Sequence, residues 1–387
     1  MVFEIVKHPY FQRLRRIKQL GLTNLVYPGA NHTRFQHTLG TVHLMLKSIN
    51  VLRTKGVEIS DEEQEAACVA ILLHDIGHGP FSHALEYNIV ENVHHEDISL
   101  LVMDKLNRDF YGRLDLAIEI FTDRYERKFF HQLISSQLDL DRLDYLHRDS
   151  FFTGVAEGVV GVDRIINILN VKDDVLAIEQ KGIYSIENFL IARRLMYWQV
   201  YLHKNVIISE NTLLQVLLRA KKLIRNGHDL FLTSGLSYFL KKAVDFNLFI
   251  TNDEGLEQFM KLDDDDMMAC MKEWCYANDK VLAHLCRTII NRQLLTIKMS
   301  NRPFKEAEIE EIKAQTKAQL QLDDAEVNYI VFTGLSANRV YSEEEANINI
   351  LTPEGEVLDV IDASDQFNTS ILSRPVKKYY ICYPRMV

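Results

Sequence analysis

Ala70-Ile71-Leu72-Leu73-His74-Asp75-Ile76-Gly77-His78-Gly79-Pro80-Phe81-Ser82-His83 decides how the rest of this 387-residue chain is read. Upstream, Ser60-Asp61-Glu62-Glu63 suits a helix N-terminus, where a hydroxyl cap and acids meet orphan N–H groups and the positive end of the dipole. The run Ala66 to Leu73 is apolar enough for a buried helix. Its last turn then carries His74 and Asp75 where apolar side chains are expected, and a buried carboxylate is costly unless paired or coordinated. A metal ion satisfies both. Adjacent helical residues point in different directions, so a His-Asp pair grips one ion only over a helix end. Gly77, Gly79 and Pro80 supply that end and let backbone approach closely. With His78 and His83 the stretch gathers ligands for borderline metals and proton carriers near neutral pH. A bare His-Asp pair is most often a solvated helix end; the whole run departs from that.

A chain of this length exceeds one compact core, so a main domain with a smaller appendage is expected. The formal net charge of −10 argues against a broad basic face for polymeric nucleic acid, while leaving room for a local basic pocket around a small polyanion. Cys68, Cys270, Cys275, Cys286 and Cys382 form neither a C-x-x-C pair nor a disulfide framework, which argues against thiol ligation and an oxidising compartment. Met1 to Pro9 lacks a signal-peptide pattern, and no apolar run is long enough to span a bilayer. A soluble cytoplasmic protein follows as the expectation.

Reading outward, Phe11, Leu14, Ile17 and Leu20 share one helical stripe ending at Gly21, with the basic residues on a solvated face. After the loop Tyr27 to His32, Thr33 opens a helix to about Thr54 that puts Arg34 and His37 one turn apart. His94-His95-Glu96-Asp97 precedes an apolar helical segment to Leu106, and residues 113 to 137 continue helical. In Leu138 to Asp149 the leucines bury while Asp141, Asp144 and Tyr145 project elsewhere, so one aspartate can complete a two-His, two-Asp metal site. Gly154 to Val162 reads as a mobile loop and Val171 to Tyr184 as a small hairpin. Ala192 to Lys204 interleaves bases with aromatics, a composition able to stack on a nucleobase while neutralising phosphates. Residues 209 to 320 read as helices, with Asp263 to Asp266 a solvated loop or helix start. Val327 to Phe332, Asn347 to Leu351, Val357 to Ile361 and Lys378 to Tyr383 read as strands. The fold class is therefore mainly α, with an all-α domain over 1–322 and a small C-terminal α+β module over 323–387.

Four ordered motifs, R-F-Q-H at Arg34 to His37, H-D-I-G-H-G-P-F-S-H at His74 to His83, H-E at His95 and Glu96, and D-L-D-R-L-D-Y-L-H-R-D at Asp139 to Asp149, carry a family resemblance. The sequence resembles the HD-domain phosphohydrolases, and within them the dNTP triphosphohydrolases, in their dGTPase-like and sterile-alpha-motif-and-HD-domain-like branch. The resemblance covers Pro9 to about Asn211. It implies an HD-domain helical core with His37, His74, Asp75 and Asp141 as ligands of one divalent ion, whether iron, manganese, zinc, nickel or magnesium. It places His78, His83 and His95 beside the α-phosphate, with Glu86 orienting His83 or His95. Many family members carry Asp where Glu86 stands. Arg34, Arg142 and Lys204 are implied to hold the triphosphate, Tyr145 and Asp149 the sugar, and Gln19, Leu20, Arg193 and Tyr201 to surround sugar, phosphate and base. Gln12, Arg15, Val26 and Tyr27 resemble parts of an effector site, although Lys7 stands where nucleotide-activated members have a guanine-reading acid. Partners implied are a deoxynucleoside triphosphate substrate, a nucleotide effector and further copies of the chain in a dimer or tetramer.

A cation held by two imidazoles and two carboxylates keeps much of its Lewis acidity, so metal-activated water attack on the α-phosphate is the expected chemistry. Deoxynucleoside and inorganic triphosphate are then the products. Two other readings stand beside it: an HD phosphohydrolase on another nucleotide (5′-nucleotidase, cyclic dinucleotide or alarmone), and a nucleotide-sensing scaffold without turnover.

Overall fold

Caps written into the chain start the helices that carry the site. The computed structural model describes residues 1–81, 84–86, 88–90, 93–242, 244, 246–247, 253–338, 347–364 and 376–385. The principal helices are α1 (Arg34–Thr54), α2 (Asp61–Leu73), α3 (His95–Asp109), α4 (Leu140–Thr153), α5 (Ile183–Met196), α6 (Lys204–Arg225), α7 (Asp264–Trp274), α8 (Lys280–Ile290) and α9 (Glu306–Leu320). At α1 the Thr33 N–H donates to Gln36 Oε1 at 2.8 Å. At α2 the Ser60 N–H donates to Glu63 and the Glu63 N–H to Ser60 Oγ, the reciprocal box that satisfies two orphan donors. Asp139 caps α4 by accepting from the Arg142 N–H at 2.6 Å, and Gly154, left-handed at φ 74°, ends it.

Helix α2 is buried on every side from Ala66 to Leu73, which is why its sequence shows an apolar run rather than a stripe. It packs on α1, and α1 packs on α4, so the histidine of one helix and the aspartates of another face the end of α2. Gly77 then admits no side chain, because a Cβ there would meet the His95 carbonyl and the Ser99 backbone of α3. Its N–H donates to Ser99 Oγ at 2.9 Å, fixing α3 against the helix end.

The N-terminal stripe is a short helical turn over Pro9–Gln12 followed by a 3₁₀ turn over Arg13–Arg16. Phe11, Leu14 and Ile17 are fully buried as expected, but Arg13 is buried with them and not solvated. Its guanidinium donates to the carbonyls of Leu262 at 2.6 Å, Ile76 at 3.2 Å and His78 at 2.7 Å. The acid run also departs from the expectation. Asp263 caps α7 as a helix start should, yet Asp263 and Asp264 are buried. Asp263 pairs with Arg16 at 2.5 Å, while Asp264 accepts from the backbone N–H of Lys18 and of Phe81. Residues 113–137 contain two short helices, Asp115–Phe121 and Phe129–Ile134, rather than a continuous one.

The strands are β1 (Leu169–Lys172), β2 (Val175–Glu179), β3 (Thr296–Ser300), β4 (Phe332–Asn338), β5 (Asn349–Leu351), β6 (Val357–Asp359) and β7 (Val376–Tyr383). Strand β3 falls inside the stretch read as helices. Val327–Ile330 is a helical turn, with the strand beginning at Phe332, and Val360–Ala363 is helical after β6. One sheet runs β3-β7-β4, antiparallel throughout; the other runs β1-β2-β5-β6, with β2 and β5 parallel through Ile178↔Ile350 and Glu179↔Leu351. Both sheets pair strands from either side of residue 322, so the C-terminal α+β part is stitched into the helical body. All five cysteines are buried free thiols. Among the described residues no helix is long and apolar enough to cross a membrane.

Candidate active site

His37 from the first turn of α1, His74 and Asp75 after α2, and Asp141 from the first turn of α4 converge from segments up to about a hundred residues apart. The His37 Nε2 lies 2.9 Å from Asp141 Oδ1 and 3.7 Å from Asp75 Oδ2. The His74 Nε2 lies 3.5 Å from Asp75 Oδ1 and 3.5 Å from Asp141 Oδ1. The other nitrogen of each ring is engaged: His37 Nδ1 meets Asp144 Oδ2 at 2.7 Å, and His74 Nδ1 meets the Ile71 carbonyl at 2.6 Å. Both acceptors demand a proton on Nδ1, so both Nε2 lone pairs face the carboxylates. Both Nε2 atoms are buried without a hydrogen-bond partner. Lone pairs and carboxylates face to face repel unless a cation lies between them. A mixed imidazole and carboxylate set with its outer partners in place fits a divalent metal.

The electrostatics agree. Burial opposes charge on His37, yet the facing carboxylates of Asp141 and Asp144 outweigh that and raise the imidazole to about 10. Burial likewise opposes charge on His74, while Asp75 and Asp141 raise it. Asp75 is pushed up by burial but held well below the usual carboxylate range by Arg34, His74 and His78. Asp141 is held low against burial by His37 and His74. The centre is built for positive charge.

A second cluster adjoins it. His78 Nε2 is 3.2 Å from Asp75 Oδ1, and the His78 and His95 rings stack at 3.8 Å between centroids. Burial first, then the nearby Arg34 and His95, hold the His78 imidazole well below its ordinary value. Glu86 Oε1 accepts from His95 Nδ1 at 2.6 Å and from the His95 N–H at 3.1 Å, orienting that ring. His83 lies outside the described residues.

Asp75, His78, His95 and Asp141 line one wall of a cavity of about 460 Å³. Arg34 and Arg142 line it too, as do Tyr145, Asp149, Tyr201, Gln19 and Leu20. Arg34 pairs with Asp75, and Arg142 Nε donates to the Ser136 carbonyl at 2.7 Å and to Asp139 at 3.1 Å. Tyr145 and Tyr201 are pushed above their ordinary value chiefly by burial, so both phenols stay protonated donors. Arg193 and Lys204 are not among the residues that line the cavity. Arg193 is buried with Nε and Nη1 lacking partners, and Lys204 is exposed at the first residue of α6. None of Gln12, Arg15, Val26 and Tyr27 lines the cavity. Gln12 Nε2 donates to the Val6 carbonyl, Arg15 lies 3.6 Å over the Phe35 ring, Val26 is half-buried, and the Tyr27 hydroxyl donates to the Gln199 carbonyl.

Of the other cavity residues, Tyr197 lies in the base-and-aromatic stretch Ala192 to Lys204, whereas Glu210 carried no sequence signal. Tyr197 opens the π-helical turn Tyr197–Tyr201 between α5 and α6, a widening that presents Tyr197 and Tyr201 to the cavity. Glu210 on α6 lines the same cavity, and burial raises its carboxyl to about 7. Asp144 was legible in principle, since its place one turn after Asp141 puts both on one face.

Residues 34–149 match the HD domain family and residues 160–227 the HD associated region. The chain is 32% identical over 376 residues to the uncharacterized protein YwfO of Bacillus subtilis, covering 93% of this chain and 83% of that one. A deoxynucleoside triphosphate triphosphohydrolase SAMHD1 homolog of Dictyostelium discoideum is 32% identical over 222 residues, covering 52% of this chain and 43% of its own length. The crystal structure of a phosphohydrolase from Bacteroides thetaiotaomicron superposes with a TM-score of 0.96 at 50% identity, covering 100% of this chain and 96% of that one.

Proposed function

This chain belongs to the HD-domain phosphohydrolase superfamily, in its SAMHD1-like branch, and from that premise we propose that it hydrolyses deoxynucleoside triphosphates to deoxynucleoside and inorganic triphosphate. The observation that carries this reading is one cavity that joins the His/Asp centre, two arginines and a Tyr145/Asp149/Tyr201 cluster. His37, His74, Asp75 and Asp141 would hold the divalent ion. When bound, such an ion lowers the pKa of a water and polarises a phosphoryl oxygen.

The remaining work falls to the chain's own side chains. Arg34 and Arg142 meet the charge of the polyphosphate with fixed, planar donors, which suits a leaving group that gains negative charge. His95, oriented through Nδ1 by Glu86, exchanges a proton beside the α-phosphate, and His78 is kept neutral next to it. Asp149 accepts a sugar hydroxyl. The Tyr145 ring, edge-on to Tyr201 at 6.1 Å, fills the space a ribose 2′-hydroxyl needs. Gln19 and Leu20 border the sugar and base.

Product analysis on all four dNTPs with a divalent metal, with and without added dGTP, tests the reading. Tripolyphosphate release supports it. Pyrophosphate or single phosphates would reject it in favour of another nucleotide chemistry. Stimulation by dGTP would point to an effector acting at Gln12, Arg15, Val26 and Tyr27. Asp141→Ala should lose bound metal and turnover together; metal-free protein that still turns over would contradict the assignment.

A further inference from the structure

His32, in the loop between Tyr27 and Thr33, is 2% exposed and lies just before the residues that match the HD domain family. Its Nε2 lies 2.7 Å from Asp149 Oδ1, and its ring stacks on Phe152 at 4.5 Å and 14°. Its Nδ1 is buried with no hydrogen-bond partner. Its carbonyl accepts from the Gln19 N–H at 3.0 Å. One residue thus grips two cavity walls, Asp149 by its side chain and Gln19 by its backbone.

A carboxylate only accepts, so Nε2 of His32 carries the shared hydrogen. On the other oxygen of Asp149 the Tyr201 hydroxyl donates at 2.8 Å. Two donors, one per oxygen, leave the carboxylate no rotation about its own axis. Asp149 is 1% exposed and borders the cavity, so its remaining acceptor capacity is turned toward whatever occupies it. An ionised carboxylate so held selects a donor, and a hydroxyl is the donor that a nucleotide sugar offers. The unsatisfied Nδ1 is a cost the fold carries, and a bare buried nitrogen calls for an explanation of that kind.

We propose that His32 is a positioning residue: it sets the Asp149 carboxylate to accept the sugar 3′-hydroxyl, and it is through that hydroxyl that it contributes to turnover. This rests on the substrate class proposed above. His32→Phe keeps the stack on Phe152 and removes the donor; His32→Gln keeps an N–H donor. Each would be assayed on the best dNTP and on its 2′,3′-dideoxy counterpart, with folding followed by thermal melting.

The expected result is a loss in kcat/KM of about 10–100-fold for His32→Phe on the dNTP, the scale of one hydrogen bond to a charged group. Its loss on the dideoxy substrate should be several-fold smaller, so that sugar discrimination collapses, and His32→Gln should restore part of it. Equal losses on both substrates in a folded variant, or no loss on the dNTP, would overturn the inference while leaving the dNTP reading intact. If His32→Phe fails to fold, His32→Met, which also lacks the donor, takes its place: unchanged discrimination together with reduced overall rate in that folded variant overturns the inference. A wild-type protein that turns over no dNTP removes the reading and the inference together.

Discussion

Asp144 holds His37 from behind: its Oδ2 takes the Nδ1–H at 2.7 Å while both of its oxygens receive Arg148, so the carboxylate is tied on both sides and His37 Nε2 is turned toward His74 and Asp141. Asp144 is thus an outer partner of the centre rather than a ligand. Asp144→Asn should weaken divalent metal binding about 10–100-fold, the usual effect of losing such a partner. Titration calorimetry with Mn²⁺ reads it directly, and unchanged affinity would place His37 outside the ligand set.

Metal binding should be coupled to proton release. Without metal, the His37 imidazole is raised to about 10 and His74 is raised as well, because Asp75, Asp141 and Asp144 favour positive charge against the opposition of burial. Ligation needs both Nε2 atoms deprotonated, so a cation must displace protons. Affinity should therefore climb with pH across the neutral range and level off only near 10. Calorimetry at pH 7 in buffers of different ionisation enthalpy should show about one proton or more released per ion; zero would contradict the charge assignment.

Arg13 should be worth more to stability than any exposed base. Arg13→Met leaves three buried carbonyls, those of Ile76, His78 and Leu262, without their donor. A loss of about 3 kcal/mol is expected, within the range for disrupted buried networks. Denaturant unfolding measures it, and a change below about 0.5 kcal/mol, the surface-substitution scale, would show that the buried guanidinium contributes little.

Glu210 should make stability fall with rising pH. Its folded-state value of about 7 stands above the ordinary 4.5, so the folded chain binds the extra proton. Stability is then intact on the acid side of 4.5, declines between 4.5 and 7, and stays reduced above. Full ionisation costs at most about 3 kcal/mol at pH 8. The stability of Glu210→Gln relative to wild type should rise between pH 5 and pH 8, as read by denaturant midpoints. A difference independent of pH would mean that Glu210 titrates normally.

Local patterns in the chain determined a good deal of this protein. The helix starts at Thr33 and Ser60, the buried run into His74-Asp75, and the strand composition of Asn347 to Leu351 and Lys378 to Tyr383 are all short-range signals, and the elements they announced are present. Those signals act within a turn or two of helix or along one strand. Tertiary structure decided what they cannot reach. Val327–Ile330 has strand composition but turns helically before β4, and β3 is a strand within a helical stretch, its partner β7 lying about eighty residues on. Asp263 and Asp264 looked like solvated charge until Arg16 and the backbone of Lys18 and Phe81 met them from the far end of the chain. His32 and Glu210 belong to the same class. Nothing in their neighbours marks them, because a side chain's burial and partners are set by where separate helices pack, and composition records only what each residue is able to do once it arrives there.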